Sequence, residues 1–525
     1  MKRTKKFVLS VLFIIMFSCL RYSGLYSQNR SKPMNVIFIL ADDLGWSDCT
    51  LYGNTDFYQT PNLERLASQG ITFTHAYVSA LSSPTRASIL TGQTTARHGI
   101  TAPVCHRKEA KTEPSVDQQK VSPGNKALPV ASATRLDNDL PTLAKVLKAQ
   151  GYTTGHFGKW HLGHEPYSPL EHGFDEDIPH WPGPGPAGSY VAPWKFPDYE
   201  ANYPREHIED RMAEEAIEWM RKVADKDQPF YMNYWAFSVH GPWDAKESLI
   251  KYYRTKTDLT DLQHSPTYAA MIHSLDQAVG RLIDEVGRLG ISNNTAVIFL
   301  GDNGGNIHCG LVETLPSGEE FIAPVTDNTP LRGGKGNLWE GGTRVPCVVS
   351  WPGITKSGTR TDAMIHSTDF YPTILNLLDI DLPENYPVDG VDITPALQGK
   401  ELKRKAVISY FPHQVKVPDW LPPAVAVHSG DWKLIRSFYH GDNGEHAYKL
   451  YNLKWDIGEK NNLADQYPQK VKELDRIIEE HLRNTNAVVP QLNPNFVPAQ
   501  YHPEDIGKQK GGYRMRSDKK KIQLK

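Results

Sequence analysis

Asn35-Val36-Ile37-Phe38-Ile39-Leu40-Ala41-Asp42-Asp43 joins a short, continuous apolar run to two adjacent carboxylates. An unbroken run of this length suits a central parallel strand, buried on both faces. Carboxylates at the exit of such a strand stand where open α/β sheets place their ligands. A helix cap would need only one Asp. The pattern recurs at Thr295-Ala296-Val297-Ile298-Phe299-Leu300, which ends in Gly301-Asp302-Asn303-Gly304. Asp42, Asp43, Asp302 and Asn303 supply four hard oxygen donors with no His or Cys among them. That donor chemistry selects Ca²⁺ or Mg²⁺ over zinc.

Around these two runs, helical and strand patterns alternate. Thr60-Pro61 to Gln69-Gly70 reads as a capped helix with Leu63, Leu66 and Ala67 inward. Asp210 to Ala224 places Met212, Ala216, Trp219 and Val223 on one face, and Tyr268 to Gly290 does the same with Met271, Leu275, Val279, Leu282 and Val286. Tyr152 to Phe157, Pro229 to Phe237 and Cys347 to Trp351 are further strands, and Asp369 to Leu378 a further helix. Beyond Gly399 come four short strand candidates, at 407–411, 424–428, 432–438 and 448–453, then a helix from Pro468 to Arg483.

Ser82-Ser83-Pro84-Thr85-Arg86-Ala87-Ser88-Ile89-Leu90-Thr91-Gly92 reads as a loop turning into a helix. Ser82 and Ser83 can cap, Pro84 suits the first helical position and Gly92 the stop. Free N–H groups and the positive dipole end would meet a hydroxyl at Ser82 and a guanidinium one turn on at Arg86, a ready place for an oxyanion. An ordinary capped helix with a surface Arg is the plain alternative. Lys159 and His161 alternate with Trp160, so they can point the same way if that segment is extended. His240 lies in Ser238-Val239-His240-Gly241-Pro242, and Lys335 in a glycine-rich run from Leu331 to Pro346.

Together these stretches resemble the type I sulfatases of the alkaline phosphatase superfamily. The resemblance rests on Ser82-x-Pro84-x-Arg86 with Thr91-Gly92, on Gly158-Lys159-Trp160-His161-Leu162-Gly163 and on His172-Gly173-Phe174-Asp175. It extends to His240-x-Pro242, Lys335, Glu340-Gly341-Gly342 to Pro346, His428 to Ile435 and Asn462-Leu463-Ala464, in order along nearly the whole mature chain. It implies an α/β fold: a large mixed, mostly parallel central sheet flanked by helices, plus a smaller C-terminal antiparallel sheet with a helix. The implied units are a catalytic domain over 33–399, a subdomain over 400–504 and a basic tail over 505–525. It further implies a sulfuric ester hydrolase whose Ser82 is oxidised to formylglycine, Ser here rather than Cys as in the bacterial branch matured by a radical enzyme. One Ca²⁺ would be held by Asp42, Asp43, Asp302, Asn303 and the modified Ser82. Arg86, Lys159 and Lys335 would neutralise sulfate, and Asp302 would act as base. His240, with Lys335, would protonate the departing alcohol, and His161 would deprotonate the second hydroxyl to expel sulfate.

Two other readings stand beside this one. A phosphoester or phosphonate hydrolase of the same superfamily would be favoured by a zinc pair with several His and Asp ligands. A non-catalytic glycan-binding homologue would have lost part of the charged set, which is complete here.

Met1 to Gln28 reads as an export signal: Lys2, Arg3, Lys5 and Lys6 precede the apolar run Phe7 to Leu20. This places the protein in the periplasm, matured before export by a formylglycine-generating enzyme; a lipoprotein anchored through Cys19 is the alternative. No later run could span a bilayer. A net charge of −2 gives no reason to expect nucleic acid. Cys49, Cys105, Cys309 and Cys347 lack zinc-site spacing and read as free and buried. The stretches Thr101 to Asp139 and Trp181 to Trp194 read as pocket walls, with Trp420, His428 and Tyr439 as rim contacts for a sulfated saccharide.

Overall fold

Strand β1, Asn35–Ala41, is buried along its full length. Ile37 and Ile39 enter one hydrophobic core, while Val36, Phe38 and Leu40 enter another on the opposite face. This is what an unbroken apolar run buys in a sheet covered on both sides. The computed structural model describes residues 33–109, 111–117, 121–226, 228–509 and 514–515. The export segment and Cys19 lie outside the described residues.

The main-sheet strands that follow are β2 (Ile71–Tyr77), β3 (Thr153–Gly158), β4 (Glu176–Ile178), β5 (Phe230–Trp235), β6 (Thr295–Gly301), β7 (Arg344–Ser350), β8 (Thr359–Thr361) and β9 (Ile365–His366). Their order is β8-β2-β7-β6-β1-β5-β3-β4, with β9 also on β2. All pairings are parallel except those of β7, which runs antiparallel to β6 and β2. Its register with β2 shifts between Val345 and Cys347, at Pro346, which has no N–H to give a ladder. The carboxyl ends of β1, β2, β3, β5 and β6 therefore share one edge.

Helices cover both faces. They are α1 (Pro61–Gln69), α2 (Ser82–Thr91), α3 (Leu143–Ala149), α4 (Ile208–Ala224), α5 (Glu247–Arg254), α6 (Pro266–Arg288) and α7 (Phe370–Leu377). The stripes of α4 and α6 fill one core; Ala87, Ile89 and Leu90 of α2 fill the other with α3 and α7. Cys49, Cys105, Cys309 and Cys347 are all buried, and the first two and Cys347 are free thiols, in line with the spacing.

Strands β10 (Val407–Phe411), β11 (Ala424–Ser429), β12 (Trp432–Ser437) and β13 (Ala447–Asn452) form an antiparallel sheet in that order, and α8 (Pro468–Asn484) packs on it. A fully buried ion cluster joins this sheet to the main one. Glu340 accepts from His428 Nε2 at 2.8 Å and Lys433 Nζ at 2.9 Å, and Tyr77 OH donates to its other oxygen at 2.9 Å. Lys433 also reaches Glu459 at 2.7 Å, and Glu459 accepts from the Glu340 N–H at 2.7 Å. The basic tail is tied at its start: Gly507 O accepts from Asp419 N, and Arg514–Met515 pairs with Cys309–Gly310.

Candidate active site

The shared edge gathers the charged residues. Ser82 is the first residue of α2, and Leu81 holds the cap position without a side-chain bond. The expected serine cap does not form, because both hydroxyls are taken elsewhere. Ser82 Oγ donates to Asp302 Oδ2 at 2.5 Å and accepts from Arg86 Nε at 3.0 Å, while Ser83 Oγ donates to His161 O at 2.8 Å. Gly92 closes the helix in the left-handed region, as its position predicted.

Arg86 is fully buried, not a surface residue. Its remaining nitrogens donate to Lys159 O at 2.7 Å and Asp302 Oδ2 at 2.9 Å, and the guanidinium lies 5.2 Å over the Trp235 ring. With each of its three nitrogens directed, it is placed to hold the Ser82 oxygen and offset charge there.

Asp42, Asp43 and Asp302 each offer an oxygen within 4.8 Å of the others, all buried. Asp43 adopts φ 61°, a left-handed conformation open to Asp at modest cost, at the turn leaving β1. Asn303 Nδ2 donates to Asp43 Oδ1 at 2.8 Å, and the Asp43 N–H to Asp302 Oδ1 at 3.0 Å. Lys159 Nζ lies 2.6 Å from Asp42 Oδ2, and Lys335 Nζ 2.7 Å from both oxygens of Asp43. Asp42 Oδ1 and Asn303 Oδ1 are buried without a hydrogen-bond partner. Such oxygens are costly unless something else satisfies them. An all-oxygen donor set with two open buried oxygens fits a hard divalent cation.

Burial and the neighbouring Asp302 push Asp42 well above the usual carboxylate range. Burial pushes Asp43 up as well, but Lys335 and His240 outweigh it and hold its carboxyl low. Burial lowers the Lys159 ammonium more than Asp42 restores it. Lys335 goes the other way, because Asp43 and Asp42 outweigh its burial and keep the proton on.

His161 and His240 complete the ring of groups. The chain leaves β3 at Gly158, and His161 turns back at φ 55°, so Lys159 and His161 meet through a turn rather than through extended alternation. Burial and then Lys159 pull the His161 imidazole well below its ordinary value. His240 Nε2 stands 4.0 Å from Asp43 Oδ2. Burial and then Lys335 bring it down to about 3. Both shifts favour the neutral ring in the free site.

One contributor was not legible in the sequence. His106, from the loop after α2, sets Nδ1 3.1 Å from His161 Nε2. A lone His in a long polar stretch gives no periodic or spacing signal. Of the expected rim contacts, His428 is fully buried in the Glu340 cluster and cannot touch substrate. Trp420 is also buried, its Nε1 donating to Lys508 O, although it lines a cavity of about 590 Å³ with Leu81 and His413. Tyr439 packs on His446.

A buried hydroxyl at a helix start, three cations and an acidic cluster at the carboxyl edge of a parallel sheet define a hydrolase for an anionic ester. The family model described as Sulfatase matches residues 34–380, and one described as N-sulphoglucosamine sulphohydrolase, C-terminal, matches 334–487. The chain belongs to the sulfatase family and is a sulfuric ester hydrolase of the type I class. It is 28% identical to a sulfatase of Formosa agariphila, the match spanning 89% of this chain and 91% of the relative. It is 30% identical to arylsulfatase A of Bos taurus over 84% of this chain and 86% of the relative, and 28% identical to N-acetylgalactosamine-6-sulfatase of Rattus norvegicus over 90% and 89%. Its fold matches the crystal structure of Ps i-CgsB in complex with k-i-k-neocarrahexaose, with TM-score 0.69 and 24% identity, covering 90% of this chain and 95% of that one.

Proposed function

We propose that this sulfatase removes sulfate from a sulfated carbohydrate outside the cytoplasm, with Ser82 oxidised to formylglycine by a maturase before export and one Ca²⁺ at the acidic cluster. The observation that carries the reading is the setting of Ser82, whose Oγ is gripped by Arg86 and Asp302 in a buried site. A plain serine held there could not eject sulfate and would need water to hydrolyse its adduct. Oxidised, the position supplies a hydrated aldehyde, one hydroxyl of which attacks sulfur while the other permits sulfate to leave. Asp42, Asp43, Asp302, Asn303 and the modified Ser82 would hold the cation, which would supply positive charge to the sulfate oxygens and the nucleophile.

Asp302, in contact with Ser82 Oγ, holds the proton of the attacking hydroxyl. Arg86, Lys159 and Lys335 neutralise the ester. His240 protonates the departing alcohol; its ring is neutral in the free site, and the charge of bound sulfate favours its protonation. Lys335, which keeps its proton, lies on the same carboxylate and shares the task. His161 then takes the proton of the second hydroxyl. Among the described residues the acidic triad is the metal-competent cluster of three or more such side chains, and no His joins it, so nothing favours a zinc phosphatase centre.

The leaving-group side supports a carbohydrate. A cavity of about 440 Å³ beside His240 is lined by Trp181, Gly185, Lys195 and Pro242. Trp181 also borders a second cavity of about 630 Å³, lined by Tyr199, His180, Asp198 and His164. Aromatic walls with polar groups between them suit sugar rings, and a small aryl sulfate needs neither chamber. The relatives named for N-acetylgalactosamine 6-sulfate make that sugar the first probe. The test is a mass of the Ser82 peptide from a host able to mature it, with side-by-side assays on sulfated saccharides and 4-nitrophenyl sulfate. An active enzyme with unmodified Ser82 overturns the nucleophile, and efficient turnover of the aryl sulfate alone overturns the substrate class.

A further inference from the structure

His161 presents a problem of proton export. It is 1% exposed, and its Nε2 is already engaged by His106 Nδ1 at 3.1 Å. Its Nδ1 is buried without a partner among the described residues. Any proton His161 accepts in the reaction must therefore enter at Nδ1, and it cannot pass directly to water. His106 is exposed and stands on the only nitrogen of His161 that has a partner among the described residues. Its place is fixed from both sides: its carbonyl accepts from His164 Nε2 at 2.6 Å, and the preceding Cys105 is fully buried. The two imidazoles lie with centroids 5.4 Å apart.

We propose that His106 is a positioning and relay residue for the sulfate-release step, carrying out to solvent the proton that His161 takes up. The step rests on the formylglycine reading above. His161 Nδ1 takes the proton of the second hydroxyl; the electron pair left on that oxygen forms the carbonyl, and the carbon–oxygen bond to sulfate breaks with its pair going to sulfate. His161 Nε2 gives its proton to His106 Nδ1, and His106 Nε2 gives one to water. Each ring gains one proton and loses one, so both return to neutral in the other tautomer and no further reactant is needed. When the aldehyde is rehydrated the path runs backwards: His161 Nδ1 gives its proton to the carbonyl oxygen, His106 Nδ1 returns one to His161 Nε2, His106 Nε2 regains one from water, and the proton shed by the attacking water goes to solvent, which resets the pair. The groups around the relay favour discharge. Burial, Arg107, His164 and Lys159 all pull His106 below its ordinary value, and Lys159 and Arg86 face His161.

Because this step follows departure of the alcohol, its loss has a distinct kinetic signature. His106→Ala should lower kcat on 4-nitrophenyl sulfate by about 10²-fold, the low end of the range for a lost proton-transfer group. KM should fall in proportion, leaving kcat/KM unchanged, with a burst of 4-nitrophenol ahead of the slow steady state. Added imidazole should restore kcat. His106→Gln can still hold His161 Nε2 but cannot relay, so it should stay slow. An unchanged kcat, a fall in kcat/KM matching that in kcat, failure of imidazole to rescue, or full rate in His106→Gln would each overturn the relay. The mass of the Ser82 peptide from the same preparation separates this failure from that of the nucleophile: unmodified serine in an active enzyme removes the step itself.

Discussion

Lys433 is the hinge of the buried cluster that fastens the C-terminal sheet to the turn following Lys335. It bridges Glu340 at 2.9 Å and Glu459 at 2.7 Å, all three side chains being fully buried. Lys433→Met keeps the stem volume and removes the charge, leaving the Glu340 and Glu459 carboxylates facing each other. Removing one partner of a buried pair costs about 3–5 kcal/mol, mostly the penalty of the charge left behind. With an unfolding entropy of about 2.1 cal/mol/K per residue, that lowers Tm by only about 3–5 °C if the whole chain melts as one unit. If the C-terminal unit of roughly 110 residues melts by itself, the same loss is about 13–22 °C by the same scaling. Thermal unfolding by calorimetry distinguishes the two.

The companion variant Lys433→Met/Glu459→Leu removes the second carboxylate as well, and should recover at least half of the loss. The pH dependence has a definite sign. Burial raises Glu459 to about 7 even with Lys433 beside it. Without Lys433 the folded state holds that proton still more tightly than the unfolded chain, whose carboxyl titrates near 4.5. Native protein then binds more protons than unfolded, so the penalty grows as pH rises through this window. The Tm deficit of Lys433→Met should be larger at about pH 8 than at about pH 5.5. A loss below about 1 kcal/mol, or a double variant no better than the single, would refute the reasoning.

Asp302→Ala should lose both bound calcium, measured by elemental analysis after dialysis, and activity, because the remaining donors cannot complete six or more ligands. An active, ordered, metal-free variant would refute this. His240→Ala should cost about 10²-fold in kcat/KM on a sulfated sugar, whose alkoxide needs a proton, and under tenfold on 4-nitrophenyl sulfate, whose leaving group departs unaided. Equal losses on both would remove His240 from the acid role.

What the sequence made legible follows the physics of each element. β1 and β6 were readable because a strand buried on both faces leaves an unbroken apolar signature, and their acidic exits stood out against it. The stripes of α4 and α6 located those helices to within a few residues. Arg86 was misplaced at the surface in the plain reading, since nothing local tells a guanidinium satisfied by distant Lys159 O and Asp302 from a solvated one. The serine cap failed for the same reason: its hydroxyls bond across about 220 and 78 positions of chain. His428 was misread as a rim residue because the carboxylate that buries it, Glu340, comes from the other unit. His106 carries no pattern, and its meaning exists only once the loop after α2 folds back on β3.

Charge balance ties the centre together. Three carboxylates, Asp42, Asp43 and Asp302, face three cations, Arg86, Lys159 and Lys335, so the bare site is neutral when all six are ionised. Yet burial drives the Asp42–Lys159 pair away from its charged forms, Asp42 up and Lys159 down. A neutral, partly discharged site has no electrostatic grip on a sulfate ester, which brings one negative charge; proton transfer from the nucleophile to Asp302 moves charge within the site without changing that count. A divalent cation on the open oxygens of Asp42 and Asn303 would give the centre a net positive charge that a sulfate monoanion only partly cancels, and would hold Asp42 ionised. Sulfate, by the same count, would occupy the place where Lys159 and Lys335 now lean on the carboxylates. That balance, rather than any single residue, is what would let this constellation hold an anionic ester.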